Sequence, residues 1–184
     1  MRESNNGIVL ADSRRLTIVR TIGFAAVMAA AAHVAVPMPG TPVPFTLQPL
    51  LVVMAGFWLA PRAAVASMVL YLAAGAAGLP VWAPVGLPGA ARLLGPTGGY
   101  LISYPLAAWV VATLATRANG YAARVGTAIA GMAVIYAGGL AQLTILTGSV
   151  ATSALLGAAP FAALDLAKSF IAAALAPRGS SPTR

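Results

Sequence analysis

Apolar residues run along this chain in long blocks, cut by proline, glycine or arginine rather than by regular alternation. Six blocks stand out. They cover about Leu16–Val36, Leu47–Ala60, Ala63–Gly78, Thr97–Thr116, Ala122–Thr147 and Pro160–Ala176. Pro37-Met38-Pro39-Gly40 ends the first, Pro61-Arg62 the second and Leu79-Pro80 the third. Arg117 with Asn119-Gly120 ends the fourth, Gly148 the fifth and Pro177 the last. Between Arg20 and Arg62 lie 41 residues without charge, and between Arg124 and Asp165 lie 40. A membrane-crossing helix needs about 20 apolar residues, so each of these runs has room for two crossings. The pattern predicts an all-α polytopic protein: a single six-helix membrane domain over residues 1–184. A short N-terminal tail (1–15) and a frayed polar tail (177–184) flank the spans. The second, third and sixth spans are short at about 1.5 Å rise per residue and would draw on neighbouring loop residues to cross.

Charge orients the six spans. With the N-terminus in the cytoplasm, Arg2, Arg14, Arg15, Arg20, Arg62, Arg117, Arg124, Arg178 and Arg184 all lie inside or at the inner interface. Only Arg92 of the ten arginines lies outside. Cytoplasmic loops are the ones enriched in Lys and Arg, so both termini are expected in the cytoplasm. Arg14-Arg15 ahead of an apolar run imitates a signal peptide. The run is longer than the usual h-region, and losing it would spoil the charge balance, so it is read as the first span.

Composition removes other classes. Sixty per cent of the chain is apolar and 8% charged, against about 45–50% and 25% in soluble domains. The net charge of +8 is explained by topology and does not call for nucleic acid. There is no Cys and only one His, His33, so no disulfide, thiol-ligated metal or His-rich site is expected, and no cofactor. Lys168 is the only lysine and follows Ala167, so there is no Walker A loop and no ATP hydrolysis by that route. There is no G-x-G-x-x-G or G-x-S-x-G, and Asp165 is the only intramembrane carboxylate. The chain is expected not to be an enzyme.

Small residues abound, with 43 Ala and 19 Gly. In lipid such residues let helix backbones approach closely. Ala25, Ala29 and His33 fall at i, i+4, i+8 on the first span, with Ala26 and Ala30 on the adjacent stripe. This face serves either internal packing or docking of another membrane subunit, and His33 reads as a structural residue.

Chemistry concentrates outside. The segments 37–46, 79–96 and 148–159 are the expected external loops. The first holds four prolines in eight positions and should be stiff and extended. The second is long, apolar and rich in Pro and Gly. Irregular apolar backbone at a membrane surface is tolerated when packed on protein or lining a cavity, so both loops are expected to cover an outward-facing pocket. Asp165 and Lys168 stand at i, i+3 on the sixth span, within pairing reach. A charge in the bilayer costs about 2.5–3.5 kcal/mol and marks a functional site. Lys168 offers three donors, which suit a carboxylate, and Asp165 offers acceptors for N–H groups.

Four strings then resemble one family, in order and over about residues 16–176. Thr41-Pro-Val-Pro-Phe-Thr-Leu-Gln48, Gly78-Leu-Pro-Val-Trp82, Gly95-Pro-Thr-Gly-Gly-Tyr-Leu-Ile102 and Pro160-Phe161 with Asp165-x-x-Lys168 are similar to the motifs of BioY-type biotin transport proteins. The resemblance implies the substrate-binding S component of an energy-coupling factor (ECF) transporter, in the cell inner or plasma membrane. It implies six helices, capture of biotin from outside, and partnership with a membrane coupling subunit and two cytosolic ATPases. Some members are held to act without a dedicated coupling module. It implies a binding set of Asp165, Lys168, Thr41, Phe45, Gln48, Trp82, Gly98, Tyr100 and Arg92. Residues 83–94, which hold Arg92, match that family's motifs only weakly. Docking would fall to Ala25, Ala26, Ala29 and Ala30. Phe45, Trp82, Tyr100 and Tyr104 are the aromatic walls expected around biotin's bicyclic ring. The alternatives are an S component for another small vitamin, or an independent secondary transporter, which would usually show an internal repeat.

Overall fold

The structure, a computed structural model, describes residues 2–177, with side chains from Arg14 onward. Arg178, Arg184 and most of the expected C-terminal tail lie outside the described residues, as does the side chain of Arg2. The chain is nearly all helical. Its helices are α1 (Arg2–His33), α2 (Gln48–Trp58), α3 (Pro61–Ala76), α4 (Ala91–Leu94), α5 (Gly98–Ala115), α6 (Gly120–Thr147), α7 (Val150–Gly157) and α8 (Ala162–Leu175). The only strands among the described residues are β1 (Ala35–Val36) and β2 (Phe45–Thr46).

By length and composition α1 (over Arg14–His33), α5 and α6 can each cross a membrane. The α7–α8 pair, bent by 57°, makes a fourth crossing if taken as one broken span. At 11 and 16 residues, α2 and α3 reach only about 16 and 24 Å, against a hydrocarbon core of about 30 Å.

Residues 2–15 are helical and continuous with the rest of α1, since no proline interrupts the chain before Pro37. Two expectations change here. The segment 148–159 is not a loop. Gly148 adopts a left-handed conformation (φ 70°) that ends α6, and Ser149 restarts the chain as α7 by accepting a hydrogen bond from the Thr152 N–H. This is the ordinary capping role of serine. The proline-rich segment 37–46 is not simply extended either. It closes a small antiparallel hairpin in which Ala35 faces Thr46 and Val36 faces Phe45.

The bundle is organised on α5, which packs against α2, α3 and α6. Ala107, Ala108, Val111 and Ala112 of α5 are almost fully buried. The α5–α6 crossing depends on glycine. A Cβ at Gly99 would stand 2.1 Å from the Gly138 carbonyl oxygen, and one at Gly138 would stand 2.6 Å from that of Gly99. Close backbone contact replaces apolar burial as the attraction between helices in lipid. Large apolar side chains instead face outward: Ile18, Val19 and Ile22 on α1, Ile102, Leu106 and Trp109 on α5, Leu166, Phe170 and Ile171 on α8. Their spread over several helices forms an apolar exterior, as a lipid-facing surface requires.

α1 packs on α3 and α2, which sorts the small-residue stripe. Ala25 is buried in the core and Ala29 packs half-buried against it, while Ala26 and Ala30 are exposed. Ala25 therefore belongs to internal packing and leaves the expected docking set. His33 is exposed, and its Nδ1 lies 2.8 Å from the Ala29 carbonyl oxygen one turn back.

Candidate functional site

Helix α8 has one polar face in an apolar helix, and that face builds the site. Asp165 and Lys168 are 6% and 5% exposed and pair at 2.7 Å through Nζ and Oδ1. This is the only ion pair among the described residues. Lys168 gives a second hydrogen bond to the Thr46 carbonyl oxygen at 2.7 Å, and its ammonium stands 4.0 Å from the centre of the Phe45 ring. Two of its three donors are thus used, and the charge is also stabilised by the ring face. The other carboxylate oxygen, Oδ2, accepts from the Tyr136 hydroxyl of α6 at 2.5 Å. Each oxygen keeps a lone pair for a further donor.

These groups form one pole of a pocket of about 630 Å³, its mouth included. The walls are apolar and aromatic: Phe45, Trp82, Tyr100, Leu101, Tyr104, Ile135 and Phe161. Tyr100 lies flat on glycine. A Cβ at Gly139 would stand 2.2 Å from its ring, and its hydroxyl donates to the Gly157 carbonyl at 2.8 Å. Trp82 meets Tyr71 edge-on at 5.2 Å between ring centres and donates its Nε1–H to the Gly89 carbonyl at 3.2 Å.

Arg92 also lines the pocket. Its guanidinium donates to three loop carbonyls: Leu87 through Nε at 2.8 Å, Val85 through Nη1 at 2.5 Å and Ala83 through Nη2 at 2.5 Å. The Pro/Gly-rich loop is therefore wrapped around one side chain. Arg92 is 5% exposed and has no carboxylate partner among the described residues, and the burial pulls its pKa below the ordinary guanidinium value. Two of its five N–H donors remain. Counting Lys168 and Arg92 against Asp165, the pocket carries one net positive charge.

Of the nine expected binding residues, seven line this pocket: Asp165, Lys168, Phe45, Gln48, Trp82, Tyr100 and Arg92. Two do not, and their placement corrects the expectation. Thr41 donates from Oγ1 to the Leu156 carbonyl at 2.6 Å and accepts from the Val43 N–H at 3.1 Å. It ties the hairpin tip to α7. Gly98 is a packing residue, since a Cβ there would stand 2.0 Å from the Leu93 carbonyl oxygen. The space it leaves lets the Gln142 amide reach the Leu93 and Gly95 carbonyls at 2.9 and 2.7 Å. Gln48 is both wall and brace, donating to the Tyr71 hydroxyl at 2.6 Å and accepting from the Thr46 hydroxyl at 3.2 Å. Tyr136 was missed. The signal was a phenol in an apolar membrane span, where an O–H must find a partner. Among the described residues no cluster of three or more His, Asp or Glu could hold a metal ion.

Fold and pocket together define a multi-pass membrane protein with a buried site for a small molecule. The pattern of the BioY family matches residues 3–183. The chain is 35% identical over 155 residues to the biotin transporter BioY of Thermotoga maritima, covering 84% of this chain and 90% of that protein. It is 37% identical over 137 residues to the probable biotin transporter BioY of Pyrococcus horikoshii, covering 74% and 80%. Its fold is that of a crystal structure of the S-component for biotin from an ECF-type ABC transporter, with a TM-score of 0.82, 22% identity and 90% of each chain covered. The chain belongs to the BioY family.

Proposed function

We propose that this chain captures biotin from outside the cell and delivers it across the membrane as the substrate-binding S component of an ECF transporter. The observation that carries the reading is a largely apolar pocket whose charged groups are the Asp165–Lys168 pair and one cation, Arg92, without a carboxylate partner among the described residues. Biotin is an apolar bicycle and chain with a cyclic urea at one end and a carboxylate at the other. One urea N–H donates to a free lone pair of Asp165, and the urea carbonyl beside it accepts the remaining donor of Lys168. The carboxylate takes the free N–H groups of Arg92, and its single negative charge cancels the pocket's excess. The aromatic walls cover the rest. The chain acts as a transporter and not as an enzyme: nothing in this scheme makes or breaks a covalent bond.

Relatives named biotin transporters and the fold of a biotin S-component support this reading. In it residues 1–184 form one domain of six spans: α1, α2, α3, α5, α6 and the bent α7–α8 pair. Both termini are cytoplasmic, in the inner or plasma membrane, an orientation that places nine of the ten arginines on the cytoplasmic side. A membrane coupling subunit and two cytosolic ATPases supply the energy, since this chain has no Walker A loop. Ala26 and Ala30, exposed on α1, are the docking residues that remain. The test is equilibrium binding of labelled biotin and other vitamins to purified protein. Saturable binding of biotin alone is expected, and tighter binding of a different vitamin would overturn the assignment.

A further inference from the structure

Three tyrosines line the pocket: Tyr100, Tyr104 and Tyr136. Two have spent their hydroxyls. Tyr100 donates to the Gly157 carbonyl at 2.8 Å, and Tyr136 donates to Asp165 at 2.5 Å. Tyr104 stands one turn along α5 from Tyr100, on the same helix face. It is 3% exposed, yet its hydroxyl has no partner among the described residues. Among the described residues no side-chain oxygen or nitrogen that is fully shut in lacks a hydrogen bond, so this hydroxyl opens to the cavity. A buried hydroxyl without a partner is costly, and native structures rarely leave one. Only the contents of the pocket can satisfy it. Tyr104 lines the same cavity as Asp165 and Lys168.

We infer that the Tyr104 hydroxyl is a specificity-determining ligand contact, donating to the carbonyl oxygen of a cyclic urea, one of whose N–H groups is held by Asp165. The inference rests on the biotin reading. The carbonyl of a cyclic urea sits between its two N–H groups and has two lone pairs. A site that takes one N–H on a carboxylate must supply donors beside that carboxylate for the adjacent carbonyl. Lys168 supplies one and Tyr104 the second. Tyr104 thus selects for an acceptor at this ring position, where a plain aromatic wall would accept any flat ring.

The experiment is calorimetric titration of purified wild type and Tyr104→Phe with biotin, desthiobiotin and 2-iminobiotin at neutral pH. Desthiobiotin keeps the urea and loses the sulfur. The protonated ring of 2-iminobiotin donates but does not accept. Tyr104→Phe is expected to weaken biotin and desthiobiotin alike, by about 3- to 10-fold, and to leave 2-iminobiotin unchanged. The melting temperature of the ligand-free protein should not fall, because the hydroxyl bonds nothing in the protein. An equal loss for all three ligands, no loss for any, or a lower melting temperature without ligand would each overturn the inference. Wild type that fails to bind biotin would remove the proposed function as well, so the two failures are distinguishable.

Discussion

Replacing Lys168 by alanine tests the site most directly, and the structure sets the size of the effect. The change removes the 2.7 Å bond to Asp165, the 2.7 Å bond to the Thr46 carbonyl and the ammonium above Phe45. Asp165 is then a buried carboxylate held only by Tyr136. Breaking a buried pair in this way costs about 3–5 kcal/mol of stability. Loss of the charge-assisted bond to ligand costs a further 1.5–3 kcal/mol of affinity, about 10- to 150-fold. The two losses must be separated, and the double variant Asp165→Asn with Lys168→Met does so. It leaves no unpaired charge on α8, so its melting temperature should recover well above that of Lys168→Ala. Its biotin affinity should not recover, because both ligand-facing groups are gone. The assay is thermal unfolding of detergent-purified protein beside calorimetric titration with biotin. If the double variant binds biotin as wild type does, the pair is a structural brace and the proposed grip on the urea is wrong.

Three further outcomes follow from single contacts. Arg92→Gln should weaken biotin by about 10-fold or more and erase the preference for biotin over biotin methyl ester, because the charge-assisted bond to the carboxylate is lost; an unchanged acid-to-ester ratio in competition binding would contradict this. Tyr136→Phe should cost about 10- to 100-fold in affinity through Asp165, and almost nothing when added to Asp165→Asn; additive losses in that double-mutant cycle would mean that Tyr136 acts independently. Ala30→Trp should spare biotin binding and block uptake by cells, whereas Ala25→Trp should lower the melting temperature by overpacking the core; continued uptake by the Ala30 variant would remove this face from docking.

The hydrophobic blocks exposed the helical class, and the boundaries of α5 and α6 lay within two residues of the expected spans, because lipid leaves the backbone no alternative to internal hydrogen bonding. The pair on α8 was legible for the same reason: charges in an apolar helix are too costly to be incidental. What stayed hidden depended on contacts between distant segments. Gly148 and Pro160 read as loop boundaries, so the eight helical residues between them passed for loop. The i, i+4 spacing of Ala25 and Ala29 named a stripe but not which side of it faced α3. Tyr136 has no polar neighbour on its own helix, and its partner is 29 positions away. Thr41 belonged to a recognised motif, yet its bond reaches 115 positions to α7, so motif membership alone could not separate a ligand contact from a loop anchor.

The charge count carries the mechanism one step further. Lys168 and Asp165 compensate each other at 2.7 Å, but Arg92 holds its charge among neutral carbonyls of residues 83, 85 and 87. A buried ion without a counter-ion is among the most costly groups a protein can carry, and here that cost is lowest with an anion in the pocket. The same guanidinium organises the loop over the site. An anion that reaches Arg92 therefore stabilises the arrangement of residues 83–92 that shuts it in, and a neutral analogue gives no such gain. Occupancy and closure are then linked through one side chain. The linkage is reciprocal: whatever loosens the loop from Arg92 also weakens the grip on the anion by the same free energy. Hydrogen exchange of the amides of residues 83–92 should slow when biotin is added and remain fast with its methyl ester. Equal protection by acid and ester would place the coupling elsewhere.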